Sequence, residues 1–180
     1  MDFWIEDARD ADLPAITAIL NHAAAHTTAT WHEYPKSDAE MADWFAARKK
    51  DYVVLAARDA SGLLGYASYG PFRAPSGYRL SAEHSIYVRE DRRGKGIGKA
   101  LLAALIERAR AQGLHVLVGG IDADNPLSIG LHKAFGFEET GRMPEVGRKF
   151  DRWLTLAFLQ KNSDGLSCPG FNKRGRACGR

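Results

Sequence analysis

Residues 93 to 99, Arg-Gly-Lys-Gly-Ile-Gly-Lys, set three glycines and three cations directly ahead of a helix-forming run. Glycine lets a backbone curl so that successive N–H groups converge on one centre. The first turn of the following helix adds unpaired N–H groups and a positive dipole end. The chemistry open to such a loop is to cradle a pyrophosphate. Two common phosphate loops are excluded by spacing. The pattern G-x-x-x-x-G-K-[ST] needs Ser or Thr after its Gly-Lys pair, and Lys95 is followed by Gly96. The dinucleotide pattern G-x-G-x-x-G fails because Gly94, Gly96 and Gly98 run as G-x-G-x-G.

A second group lies at Asn125-Pro-Leu-Ser-Ile-Gly-Leu-His-Lys-Ala-Phe-Gly-Phe137. Asn125 suits an N-cap and Pro126 the first helical position. Leu127, Leu131 and Phe135 recur every four residues and are expected to face the core. Gly136 then ends the helix. Elsewhere, His22 and His26 have a metal-compatible helical spacing, but no H-E-x-x-H pattern or converging carboxylate accompanies them, so no metal is expected. There is no G-x-S-x-G nucleophile pattern either.

Arg93-x-x-Gly96-x-Gly98 and Asn125-x-x-Ser128-x-x-Leu131-His132-x-x-x-Gly136-Phe137, in this order and about 30 residues apart, resemble the two halves of the acetyl-CoA signature of the Gcn5-related N-acetyltransferases. The resemblance covers residues 3 to 160. It implies acetyl-CoA as co-substrate, held by Ile86, Tyr87, Val88, Arg93, Gly94, Lys95, Gly96, Ile97, Gly98, Lys99, Asn125 and Ser128. Ile86 to Val88 are implied to pair, strand-like, with the pantetheine arm, and the Val88 N–H to polarise the acetyl carbonyl.

Making an amide from a thioester needs a neutral amine, a polarised carbonyl and a protonated leaving thiolate. An amine is mostly protonated near neutral pH, so a base must take its proton. Glu83, on the strand before the loop, is the expected base, acting through a water. Alternation puts Glu83, Ser85 and Tyr87 on one face and His84, Ile86 and Val88 on the other. His132 stands where many relatives carry a tyrosine and is the expected acid. With both cysteines near the C-terminus, direct transfer in a ternary complex is favoured over an acyl-enzyme.

The stretches from Tyr69 to Val88, from Asn21 to Trp31 and from Val146 to Trp153 resemble the phosphinothricin and methionine sulfoximine acetyltransferases. That resemblance implies an acceptor pocket of Trp31, Phe72, Arg73, Tyr78, Glu83 and Lys149. The implied substrates are small glutamate-like amino acids with a tetrahedral oxo group: phosphinothricin, methionine sulfoximine or sulfone, and arsinothricin. Arg73 suits a bidentate contact to a carboxylate or phosphinate, Tyr78 one hydrogen bond, and Trp31 a pocket wall. A role in detoxification and resistance is implied, as is a homodimer in which the loop near Lys149 reaches toward the partner's site. Two other readings stay open: a peptide or protein N-terminal acetyltransferase, and a non-catalytic acyl-CoA-binding module.

The elements that must position these residues follow from periodicity and punctuation. Strands are expected at 3–8, 52–58, 63–69, 82–88, 114–121, 137–142 and 153–160. Helices are expected from Asp10 or Asp12, from the capping box Ser37-Asp-Ala-Glu40, over 97–112, and from Asn125. This order implies an α/β acyl-CoA N-acyltransferase fold, with a mixed, mostly antiparallel sheet flanked by helices. One domain is expected over residues 1–161, with a flexible basic tail at 162–180. Lys173, Arg174, Arg176 and Arg180 against Asp164 account for the whole formal charge of +3, which leaves residues 1–161 neutral. Aromatic residues do not interleave the tail cations, so no nucleic-acid partner is expected. Cys168 and Cys178 are read as free thiols in that tail. No signal-peptide pattern opens the chain and no apolar run is long enough to span a bilayer, so a cytoplasmic protein without a membrane partner is expected.

Overall fold

The computed structural model describes residues 2–162. The basic tail residues and both cysteines lie outside them. Within the described residues the chain runs β1 (Trp4–Asp7), α1 (Leu13–His26), α2 (Asp38–Asp51), β2 (Val54–Asp59), β3 (Gly62–Pro71), β4 (Ser81–Val88), α3 (Ile97–Ala111), β5 (Val116–Asp122), α4 (Pro126–Ala134), β6 (Glu138–Lys149) and β7 (Arg152–Asn162). The strands form one sheet in the order β1-β2-β3-β4-β5-β7-β6. Every pairing is antiparallel except β4 with β5.

The parallel pair shapes the molecule. Its register runs only from Ser81↔Val116 to His84↔Gly119, although β4 continues to Val88 and β5 to Asp122. Beyond His84 each strand stays paired to its outer neighbour, β4 with β3 and β5 with β7. The sheet therefore splits along its middle, and a wedge opens between the two strands.

Apolar side chains fill both faces, as the alternation of period two requires. One face packs Leu55, Ala57, Ala67 and Tyr69 against Leu101, Leu102 and Leu105 of α3. The other packs Val54, Ala56 and Tyr66 against Ile16, Ile19, Met41 and Phe45 of α1 and α2. The α2 capping box forms as expected: Glu40 N donates to Ser37 Oγ at 3.3 Å, and Ser37 N donates to Glu40 Oε2 at 2.9 Å.

Three local expectations are corrected. Asp12 stands at the N-cap of α1 but does not cap it; its carboxylate accepts from Arg9 N at 2.8 Å and pairs with Arg58. In α4 the inward residues are Ile129 and His132, whereas Leu127 is 86% exposed and hangs over the wedge. With Pro126 starting the helix, its inward line is set by Ile129 and His132, and Leu131 and Phe135 flank it, partly buried. The last two strands are longer than expected and form a hairpin. Its turn is Phe150-Asp151, both at positive φ (50° and 57°), and an irregularity between Met143 and Gly147 takes up Pro144, Glu145 and Val146. Two positive-φ residues give the twist a tight hairpin needs, but Phe-Asp lacks the glycine that would announce it in sequence.

Candidate active site

The wedge is a cleft of about 1270 Å³. Its walls are Ile86–Val88 of β4 and Gly119–Asp122 of β5. Arg93, Gly94 and Gly98, then Asn125, Leu127, Ser128 and His132, and Thr27 to Ala29 beside α1 also line it.

The loop end fits a pyrophosphate on its own geometry. Gly94 and Gly96 take left-handed φ of +74° and +80°, and a Cβ built at either meets nothing within 4 Å. Gly96 is the N-cap of α3 and offers no side chain to cap it. The N–H groups of that helix's first turn are thus open to an anion. Of the expected cofactor residues, Ile86, Tyr87, Val88, Arg93, Gly94, Gly98, Asn125 and Ser128 line the cleft. Ile97 does not present its side chain there: it is buried in the core, and only its backbone belongs to the helix terminus. Lys95 Nζ donates to the Asp91 carbonyl at 3.2 Å, and Lys99 is exposed. The Asn125 side chain is committed to capping α4, where its Oδ1 accepts from Ser128 N at 3.0 Å.

Two consecutive glycines on β5 mark the apex of the wedge. A Cβ on Gly120 falls 2.9 Å from Glu83 Oε1, and one on Gly119 falls 3.1 Å from His84 Cε1 and 3.5 Å from His132 Nε2. A side chain at Gly120 would displace the Glu83 carboxylate, and one at Gly119 would crowd the His84 ring. Glu83 and the two histidines therefore approach the same strand from opposite faces of β4, as the alternation requires. Burial raises the Glu83 pKa above its ordinary value, with the Arg73 and Arg48 charges opposing. A raised pKa makes the carboxylate a stronger base.

His132 differs from expectation. It is buried, its Nδ1 donates to the Ser128 carbonyl at 2.7 Å, and its Nε2 lies 2.9 Å from His84 Nε2. A carbonyl only accepts, so Nδ1 carries the His132 proton and Nε2 accepts from His84. Both ring nitrogens are engaged inside the chain. Burial lowers the pKa of both histidines, so the pair is neutral near pH 7. His84 was not legible as a site residue.

The expected acceptor residues fall into two groups. Phe72, Arg73, Tyr78 and Glu83 come together on β3, β4 and their connection. Arg73 lies over the Phe72 ring at 4.2 Å, with Nη1 4.0 Å from Glu83 Oε2, and Tyr78 meets Phe72 edge-on at 5.8 Å. Trp31 and Lys149 form the second group. A Cβ on Gly147 would fall 2.4 Å from the Trp31 ring, so glycine lets the indole lie against the hairpin backbone. Lys149 is buried, and its Nζ donates to the carbonyls of Thr27 (2.8 Å) and Thr30 (2.6 Å). Its ammonium is thus turned inward to its own chain's α1–α2 connection.

No group of three or more metal-ligating side chains occurs among the described residues. His22 Nε2 is instead bonded to Glu90 Oε2 at 2.9 Å. No helix among them is long and apolar enough to cross a membrane.

Comparison with known proteins places this geometry. The model of the acetyltransferase (GNAT) family matches residues 16–137. An L-methionine sulfoximine/L-methionine sulfone acetyltransferase of Pseudomonas paraeruginosa is 57% identical over 166 residues, covering 91% of this chain and 96% of that one. A solved ribosomal-protein-alanine N-acetyltransferase from Brucella melitensis superposes with a TM-score of 0.87 at 48% identity, covering 88% of this chain and 99% of that one. A phosphinothricin acetyltransferase from Sinorhizobium meliloti, solved in complex with acetyl-CoA, superposes with a TM-score of 0.87 at 41% identity, covering 90% of this chain and 89% of that one. With a split sheet, an uncapped glycine cradle and a family match across most of its length, the chain belongs to the GNAT family of acetyltransferases.

Proposed function

We propose that this protein moves an acetyl group from acetyl-CoA to the α-amine of a small amino acid bearing a tetrahedral oxo group, by direct attack in a ternary complex. The observation that carries the reading is the grouping of Glu83, Arg73, Phe72 and Tyr78 beside the apex of the wedge: a base with a raised pKa, a cation for an anionic or oxo end, and an aromatic wall. The names of the Pseudomonas and Sinorhizobium relatives support the substrate class. Methionine sulfoximine, methionine sulfone, phosphinothricin and arsinothricin share the α-amino acid end and a compact oxo-bearing tip. Detoxification of such compounds in the cytoplasm is the physiological role that fits.

Acetyl-CoA supplies an activated acetyl thioester when bound. The Gly94–Gly98 loop, Arg93, Lys95, Lys99 and the first turn of α3 hold the pyrophosphate. Ile86, Tyr87 and Val88 offer the unpaired edge of β4 to the pantetheine arm, with the Val88 N–H toward the acetyl oxygen, and Asn125 and Ser128 border the thioester end. Glu83 takes the amine proton, directly or through a water. His132 holds no uncommitted N–H for the departing thiolate, which takes its proton from solvent in the open cleft. Trp31 bounds the acceptor pocket, and Lys149 acts by holding the Trp31 loop.

A homodimer belongs to the same reading. Phe150 and Trp153 are 53% and 61% exposed on the β6–β7 hairpin, beside exposed Met143 and Val146. Such an apolar patch at a sheet edge suits a second copy of the chain.

The name of the Brucella structure favours a second reading, acetylation of an alanine N-terminus. One panel separates the two: acetyl-CoA-dependent thiol release with the four oxo-amino acids, glutamate and Ala-initiated peptides. Saturable turnover of an oxo-amino acid and none of peptides is expected. Turnover of peptides alone would move the function to protein acetylation and leave the cofactor reading standing.

A further inference from the structure

Arg48, near the end of α2, is a half-buried arginine that forms no ion pair among the described residues. Its guanidinium crosses the backbone of Gly70 on β3 so closely that a Cβ there would fall 1.2 Å from Nη1. Only glycine leaves room for it. Gly70 is the register partner of Glu83, so the guanidinium lies beside the carboxylate assigned above as the base. It also lies near the Tyr52 ring, 5.9 Å from the centroid. Its Nε is buried with no hydrogen-bond partner. Burial lowers its pKa, and Tyr52 and Glu83 oppose that shift.

Two other partly buried arginines are spent in ion pairs, Arg58 with Glu6 and Asp12, and Arg92 with Asp59 and Asp91. A guanidinium has five N–H donors and no acceptor. Taking it partly out of water with no carboxylate at ion-pair distance is costly, and the cost is recovered when a ligand brings one. Arg48 therefore has the setting of a binding residue waiting for an anion.

We propose that Arg48 binds the α-carboxylate of the acceptor amino acid, while Arg73 serves the distal oxo group. The assignment rests on the amino-acid reading given above. A base that takes a proton from an α-amine must also lie close to the α-carboxylate, one carbon away. Every substrate of the class has that carboxylate in the same place, so a rigid, half-buried cation suits it. Arg73 is half-exposed on a connection lined by Phe72 and Tyr78, which suits the end that varies. Arg48 then gives the enzyme its preference for amino acids over simple amines, because an amine without a carboxylate leaves the guanidinium unpaired.

The test compares kcat/KM for L-methionine sulfone and for its decarboxylated amine in the wild type, Arg48→Met and Arg48→Lys. The expected result is that Arg48→Met loses about 10- to 100-fold on the amino acid relative to the amine, while the Kd for acetyl-CoA stays at its wild-type value. Arg48→Lys should recover part of the ratio. Gly70→Ala, which displaces the guanidinium without removing it, should collapse the ratio as well and serves if Arg48→Met folds poorly. Parallel losses on both acceptors, or an unchanged ratio in the variants, would overturn the assignment alone. A wild type that acetylates Ala-initiated peptides but no oxo-amino acid would overturn the functional reading and the assignment with it.

Discussion

His84 donates from Nε2 to Nε2 of His132 across 2.9 Å, with both rings buried and Phe137 packed against each at 5.4 and 5.1 Å. Both histidines have pKa values lowered by burial from the ordinary 6.5. The folded protein thus binds fewer protons than the unfolded chain below that value. The stability from burying this pair neutral is fully present above about pH 6.5 and is lost as pH falls toward the folded pKa values. His84→Gln should flatten this part of the melting-temperature profile between about pH 6.5 and 4.5. A variant whose melting temperature drops with acid as steeply as the wild type's would contradict the neutral pair.

The same pair sets an expectation for catalysis. With both His132 nitrogens committed inside the chain, His132→Phe should keep kcat within about 10-fold of the wild type's, with the Kd for acetyl-CoA little changed. A loss of about 100-fold or more with an unchanged Kd would put His132 on the proton path.

How far the sequence announced this site depends on the residue. The cradle was legible because glycine spacing and a helix start are local signals. Glu83 was legible because alternation assigns a strand residue to a face. His84 sat on the opposite face of the same reading, but nothing local shows that α4 turns His132 onto it. Leu127, Leu131 and Phe135 kept a helical spacing, yet α4 turned Ile129 and His132 inward, and a nine-residue helix carries too few turns for its own pattern to settle its rotation. Arg48 and Gly70 are 22 positions apart, and no local pattern links a helix cation to a strand glycine. Resemblance put Lys149 in the acceptor pocket, and only the fold reveals the two carbonyls it holds.

Those two carbonyls make Lys149 a stability determinant. Lys149→Met removes the donors for Thr27 and Thr30 in a buried setting, and a cost of about 1–3 kcal/mol follows from leaving polar groups unpaired. Chemical denaturation should show a lowered midpoint with an unchanged slope. A midpoint equal to the wild type's would mean that the Thr27–Thr30 connection does not need the ammonium.

Trp153 tests the proposed dimer face. Trp153→Glu places a charge in an apolar patch, which a self-associating surface does not tolerate. Light scattering should give a dimer for the wild type and a monomer for the variant. A wild-type monomer, or a variant that remains dimeric, would place the interface elsewhere or remove it.

Glu83 joins energetics to chemistry. Its folded pKa is raised by burial, so the stability it contributes is fully present below the unfolded carboxyl value and is lost as pH rises through the folded value. Glu83→Gln should therefore melt no lower than the wild type at pH 7, even as its activity falls. A melting temperature well below the wild type's would mean that the ionised carboxylate is a net stabiliser through Arg73 and Arg48.

The most direct test of the whole account is the steady-state rate of thiol release from acetyl-CoA with L-methionine sulfone, in the wild type and in Glu83→Gln. Saturable turnover is expected in the wild type, with kcat/KM rising with pH as the carboxylate ionises. The variant should lose about 100- to 10,000-fold, with the Kd for acetyl-CoA unchanged. A Glu83→Gln enzyme that acetylates at the wild-type rate, or a wild type that turns over no oxo-bearing amino acid, would contradict it.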